Sequence, residues 1–82
     1  MATLIELEIV TPKEHLVLTV EWIEITSPTG IFFVGPDHAP LVSLVKHKAP
    51  VSYKEPGKNA DSYEAENAFF SIHTNKALLL GT

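Results

Sequence analysis

The 82-residue sequence contains no cysteine, so neither a disulfide nor a thiolate metal site can help hold it together. Positive charge is also scarce. Six Lys and Arg stand against ten Asp and Glu, giving a formal net charge of −4. The cations form no run, and the tightest pair is Lys46 and Lys48. Without a basic patch there is no electrostatic footprint for nucleic acid, and none is expected as a partner. No apolar stretch approaches the roughly 20 residues that a membrane-spanning helix needs. The start, Met1-Ala2-Thr3-Leu4, lacks a charged residue leading into an apolar core, so no signal peptide is expected. Helical spacing is missing too. The best candidate, residues 41–48, is bracketed by Pro40 and Pro50.

What remains is a chain long enough for one domain, taken as residues 1–82, and apolar enough to fold. A domain this small buries only on the order of 60–65% of its surface. Lack of cysteine fits a reducing, cytosol-like compartment.

The dominant periodicity is two, as in half-buried strands. Ile5, Leu7 and Ile9 alternate with Glu6 and Glu8 until Thr11-Pro12 ends the run. Residues 15–26 read as one longer strand. Its inward set starts as Leu16, Leu18, Val20 and Trp22, then slips by one to Ile23 and Ile25. Such a slip marks a β-bulge or a bend where a strand passes between sheets. Ser27-Pro28-Thr29-Gly30 is a turn, followed by the apolar run Ile31-Phe32-Phe33-Val34. Gly35 to Pro40 is a loop, and Leu41 to Val45 a strand. Pro50 to Lys54 and residues 61–66 flank a Pro56-Gly57 hairpin loop. Phe69 to His73 and Ala77 to Leu80 close the chain around Thr74-Asn75-Lys76. The expected fold is all-β: an antiparallel sandwich or flattened barrel of about eight to ten short strands, with no helical hairpin at its C-terminal end.

Candidate chemistry is thin. His15, His38, His47 and His73 have no mutual i,i+2 or i,i+4 spacing, so no metal site is expected. Asp37-His38 invites a catalytic reading, but adjacent residues rarely orient each other as a triad requires. No serine sits in a Gly-x-Ser-x-Gly elbow. The carboxylates Glu6, Glu8, Glu21, Glu24, Glu64 and Glu66 alternate with apolar residues, as on a solvent-facing sheet surface. The four glycines, at 30, 35, 57 and 81, match no phosphate-binding fingerprint. No catalytic residue and no cofactor are expected. The adjacent pairs Phe32-Phe33 and Phe69-Phe70 are more informative. Neighbours in a strand face opposite ways, so one phenyl of each pair leaves the local core for a second sheet or a partner.

Three stretches together resemble a known family. They are Leu7-Glu8-Ile9-Val10-Thr11-Pro12, the segment from Val20 through Gly30 to Val34-Gly35-Pro36-Asp37-His38-Ala39-Pro40-Leu41-Val42, and Phe69 to Leu80 with Asn75-Lys76 at its turn. Their order is similar to the N-terminal β-sandwich of the epsilon subunit of rotary ATP synthases. The resemblance implies a non-catalytic rotor subunit that links the gamma subunit of the central stalk to the membrane ring of c subunits. It implies a proton- or sodium-driven complex, with this subunit peripheral on the cytoplasmic face of the energy-transducing membrane. On the same basis Thr29, Gly30, Ile31, Phe32, Asp37 and His38 would meet the c ring, and Thr11 and Ser43 the gamma subunit. Longer members continue into a two-helix domain that can inhibit ATP hydrolysis and, in some, bind ATP. Both activities are expected to be missing from this chain. Three departures stand out: Phe33, Ala49-Pro50 and Asn67-Ala68 occupy places where glycines are usual. Two other readings compete. One is a stand-alone β-sandwich that binds a ligand or a protein; the other is a small hydrolase using Asp37 and His38.

Overall fold

A computed structural model describes residues 3–82. Nine strands follow one another: β1 (Ile5–Val10), β2 (His15–Val20), β3 (Trp22–Ser27), β4 (Gly30–Val34), β5 (Leu41–Val45), β6 (Val51–Lys54), β7 (Asp61–Tyr63), β8 (Ala68–His73) and β9 (Lys76–Gly81). They form a five-stranded sheet, β2-β1-β9-β8-β5, and a four-stranded sheet, β4-β3-β6-β7. The inward residues of both sheets make one core. Ile5, Leu7, Ile9, Ile23, Ile25, Val34 and Phe70 have no exposed surface at all. Burying each such side chain contributes about 1.5–3 kcal/mol. The all-β sandwich is therefore the one the periodicity foretells.

The phase slip at residues 20–23 is where the chain changes sheets. Residues 15–26 are not one strand but two, β2 in the larger sheet and β3 in the smaller. Glu21 N–H donates to the Lys54 carbonyl at 2.6 Å, while Trp22 is the register partner of Lys54. Two residues thus oppose one, the geometry of a bulge. On the other side, Lys46 N–H donates to the Thr26 carbonyl at 2.7 Å, tying the end of β5 to β3. The Lys46–Thr26 bond thus links the two sheets.

Two expectations need correction. One strand pair is parallel, not antiparallel: β1 lies beside β9 from Glu6↔Lys76 to Val10↔Leu80. A parallel pair needs a long crossover, and here nearly the whole chain supplies it. The strand expected over residues 61–66 is only β7, Asp61–Tyr63. Glu66 instead accepts from Lys48 N–H at 3.1 Å and donates to the Thr82 carbonyl at 3.3 Å, so its backbone is spent on loops rather than on β6. The detour brings Ala65 against Gly81. A Cβ at Gly81 would lie 2.9 Å from that of Ala65, closer than side chains tolerate.

Candidate docking surfaces

The β3–β4 hairpin is built by its own sequence. Pro28 and Thr29 are the two loop residues between the register partners Ser27 and Gly30. Ser27 is buried, donates its hydroxyl to the Gly30 carbonyl at 2.9 Å and accepts from Thr29 N–H at 3.2 Å. Gly30 has φ +155°, a conformation that side chains rarely adopt. Closing the hairpin on the Ser27–Gly30 pair turns the backbone groups of Ile31 and Phe33 away from β3, onto the free edge. Their side chains are exposed as well, 68% for Ile31 and 58% for Phe33. Phe33 rests on Trp22, with ring centroids 5.4 Å apart. Phe32 points to the inner side, opposite buried Ile25, yet stays partly exposed at the edge.

The next loop carries Asp37 and His38. They do not act on each other. His38 Nδ1 is 2.7 Å from the Ala39 carbonyl, and the N–H tautomer donates to it. Asp37 turns to Asn75, 38 residues away. Its N–H donates to Asn75 Oδ1 at 2.6 Å, and Asn75 Nδ2 donates to Asp37 Oδ1 at 3.0 Å. Asp37 and His38 thus hydrogen-bond to Asn75 and Ala39 rather than to each other. Among the described residues no cluster of three or more His, Asp or Glu is placed to hold a metal ion.

A second apolar surface covers the outer face of the five-stranded sheet. Cross-strand partners line up as Leu44, Phe69, Leu80 and Val10, and in the next row as Val42, Ser71, Leu78, Glu8 and Val17. Val42, Leu44, Val17 and Leu80 are about half exposed or more. A shallow depression of about 280 Å³ lies among Leu44, Phe69 and Leu80. Phe69 stands outward and Phe70 is fully buried, as the paired phenyls require. Glu8 and His15 are hydrogen-bonded at the β2 side of this face. Val42, Leu44 and Leu80 were not singled out from sequence. The available signal is that Leu41–Val45 and Ala77–Leu80 are apolar at odd and even positions alike, so these strands present apolar residues on both faces.

The remaining candidates sit nearby. Ser43 is the register partner of buried Phe70, so it faces inward between outward Val42 and Leu44, and its hydroxyl donates to the Leu44 carbonyl at 2.9 Å. Thr11 shapes the β1–β2 turn, accepting at Oγ1 from the N–H groups of Lys13 and Glu14. That turn borders a cleft of about 420 Å³ lined by Glu14, Tyr63, Glu64, Glu66 and Thr82. Tyr63 donates its phenol to Glu14 Oε1 at 2.7 Å, and this bond holds the phenol above its ordinary pKa.

Comparison with protein-family models gives no match. A curated relative does: an ATP synthase epsilon chain from Chlorobium limicola is 36% identical over 78 residues, covering 92% of this chain and 85% of that one. The chain belongs to the ATP synthase epsilon chain family. Among solved structures, a chain in the central stalk and c ring of the Tetrahymena thermophila mitochondrial ATP synthase superposes with a TM-score of 0.78 at 9% identity. The match covers 95% of this chain but 63% of that one, and at such identity it speaks for the fold alone.

The three places where the resemblance leads one to expect glycine have distinct local solutions. Phe33 stacks on Trp22 instead of leaving the hairpin bare. Beside Ala49-Pro50, Lys48 takes φ +61°, doing with a side chain what a glycine does freely. Asn67 accepts from Thr82 N–H at 2.9 Å, and its Oδ1 is 3.0 Å from His47 Nδ1. Among the described residues no helix is long and apolar enough to cross a membrane.

Proposed function

We propose that this epsilon-family chain is a central-stalk subunit that works by contact, joining the gamma subunit to the c ring of a rotary, ion-driven ATP synthase. The observation that carries this reading is the placement of exposed apolar residues in two separate patches on a strand-paired body, on different sheets. Exposed apolar area of this kind marks protein interfaces. Transmitting rotation needs stiffness and grip, and neither calls for a reactive group.

The gamma subunit is assigned to the outer face of the five-stranded sheet, with Val42, Leu44, Phe69 and Leu80 as its contacts beside Ser43, and Thr11 at the margin. The c ring is assigned to Thr29, Gly30, Ile31, Phe32 and Phe33 of the hairpin together with Asp37 and His38. The subunit is then held at the cytoplasmic face of the membrane by the complex.

The test is a pair of charge insertions, Leu44→Asp and Phe33→Asp. Each should leave the thermal midpoint of the isolated chain nearly unchanged, because both side chains already face water. Leu44→Asp should weaken capture of a cognate gamma subunit by 2 kcal/mol or more, the roughly hot-spot scale, and spare ring contact. Phe33→Asp should do the reverse. Equal loss of both contacts, or loss of neither, would sink the assignment.

A further inference from the structure

The loop holding Asp37 and His38 is fastened to the β8–β9 turn. Asn75 supplies both halves of the fastening, its amide oxygen to Asp37 N–H and its amide nitrogen to the Asp37 carboxylate. Asn75 is itself anchored, since its carbonyl accepts from Glu6 N–H at 2.9 Å on β1, an inner strand of the five-stranded sheet. The chain of contacts therefore runs from that strand to the β4–β5 loop.

Backbone conformation singles out the same spot. Among the described residues four non-glycine residues have positive φ, and three of them meet here: Asp37 at +62°, Thr74 at +50° and Asn75 at +58°. Thr74 and Asn75 are the two loop residues of the β8–β9 hairpin, whose register closes on His73↔Lys76. Positive φ at both loop residues is the type I′ turn, for which Asn-Gly is the favoured pair. A β-branched Thr in that conformation is costly. Strain of this sort persists where the surroundings over-determine it, and it gathers at clamps and contact sites.

We infer that Asn75 is a positioning residue: it clasps the Asp37–His38 loop in the one conformation that docks on the ring. This rests on the assignment of that loop to the c ring. Asn75 does not itself contact the partner. It acts through Asp37, whose backbone and carboxylate it holds together. The clasp joins a loop flanked by Pro36 and Pro40 to the sheet whose outer face is assigned to the gamma contact, so one piece carries both duties.

The discriminating variant is Asn75→Gly. Glycine accepts the I′ conformation, so the hairpin and the fold are retained while the clasp is lost. The full 82-residue chain is used with detergent-solubilised c ring and, separately, purified gamma subunit. Amide exchange at Asp37 should accelerate by about tenfold or more, and ring affinity should fall by a similar factor, with gamma affinity and the thermal midpoint unchanged. Faster exchange at Asp37 with unchanged ring affinity overturns the clasp. Phe33→Asp, measured alongside, tells this apart from failure of the docking assignment: if it too leaves ring affinity intact, the ring does not use this end of the molecule.

Discussion

The two apolar patches are made in different ways. The hairpin patch is local: Ser27 to Val34 contains its turn, its register and its exposed side chains within a single stretch. The face of the five-stranded sheet is assembled from strands that are distant in sequence, with Leu44, Phe69, Leu80 and Val10 brought into line by three separate pairings. Five strands at a spacing of about 4.8 Å give a span of roughly 20 Å, enough for a broad, flat interface. The hairpin offers a narrow edge. A broad face suits a permanent grip and a narrow edge suits a smaller contact, and this matches their assignment to stalk and ring.

The largest test of the contrast lies within the five-stranded sheet. Phe70 and Phe69 are neighbours on β8, one fully buried and one facing out. Phe70→Ala should cost about 3–5 kcal/mol of folding stability, because it leaves a cavity. Phe69→Ala should change stability little and instead weaken gamma capture. Denaturant titration of both variants reads this directly, and similar stability losses would mean that the two faces are not distinct.

A smaller effect is expected at the hairpin. Ser27→Ala removes the hydroxyl that joins Thr29 N–H to the Gly30 carbonyl. The expected cost is about 1 kcal/mol, with ring contact weakened and gamma contact spared. A loss of gamma capture as well would show that the hairpin and the broad face are coupled.

The smallest effect has the opposite sign. Lys48→Gly relieves a side chain at φ +61° in the loop after β5, outside the residues assigned to either contact. Stability should rise by about 0.5–1 kcal/mol, with both contacts unaltered. A fall in melting temperature would indicate that the Lys48 side chain holds something the backbone argument overlooks.

Period-two alternation was enough to give the class of fold and most of the core: Ile5, Leu7, Ile9, Ile23 and Ile25 are all buried as their spacing requires. The sheet change at Glu21 was legible as a phase slip, because a strand that crosses between sheets must exchange its inward set. Paired phenyls told that one ring of each pair would leave the core, and the resemblance carried by the loop from Gly35 to Leu41 pointed to the family. The candidate site was legible only in part. Thr29 to Phe32, Asp37 and His38 lie at the surfaces described, whereas Val42, Leu44 and Leu80 escaped notice. Alternation cannot identify an outward apolar residue in a strand that is apolar on both faces.

By itself, the sequence determined what local chemistry can encode: strands, turns and one sheet change. Only the tertiary structure decided what long-range pairing creates. The parallel placement of β1 beside β9, the apolar rows across five strands and the clasp from Asn75 to Asp37 all join residues far apart in the chain. Hydrophobic spacing specifies which way a residue faces, but not which strand lies beside it. That choice is made by the packing of the whole.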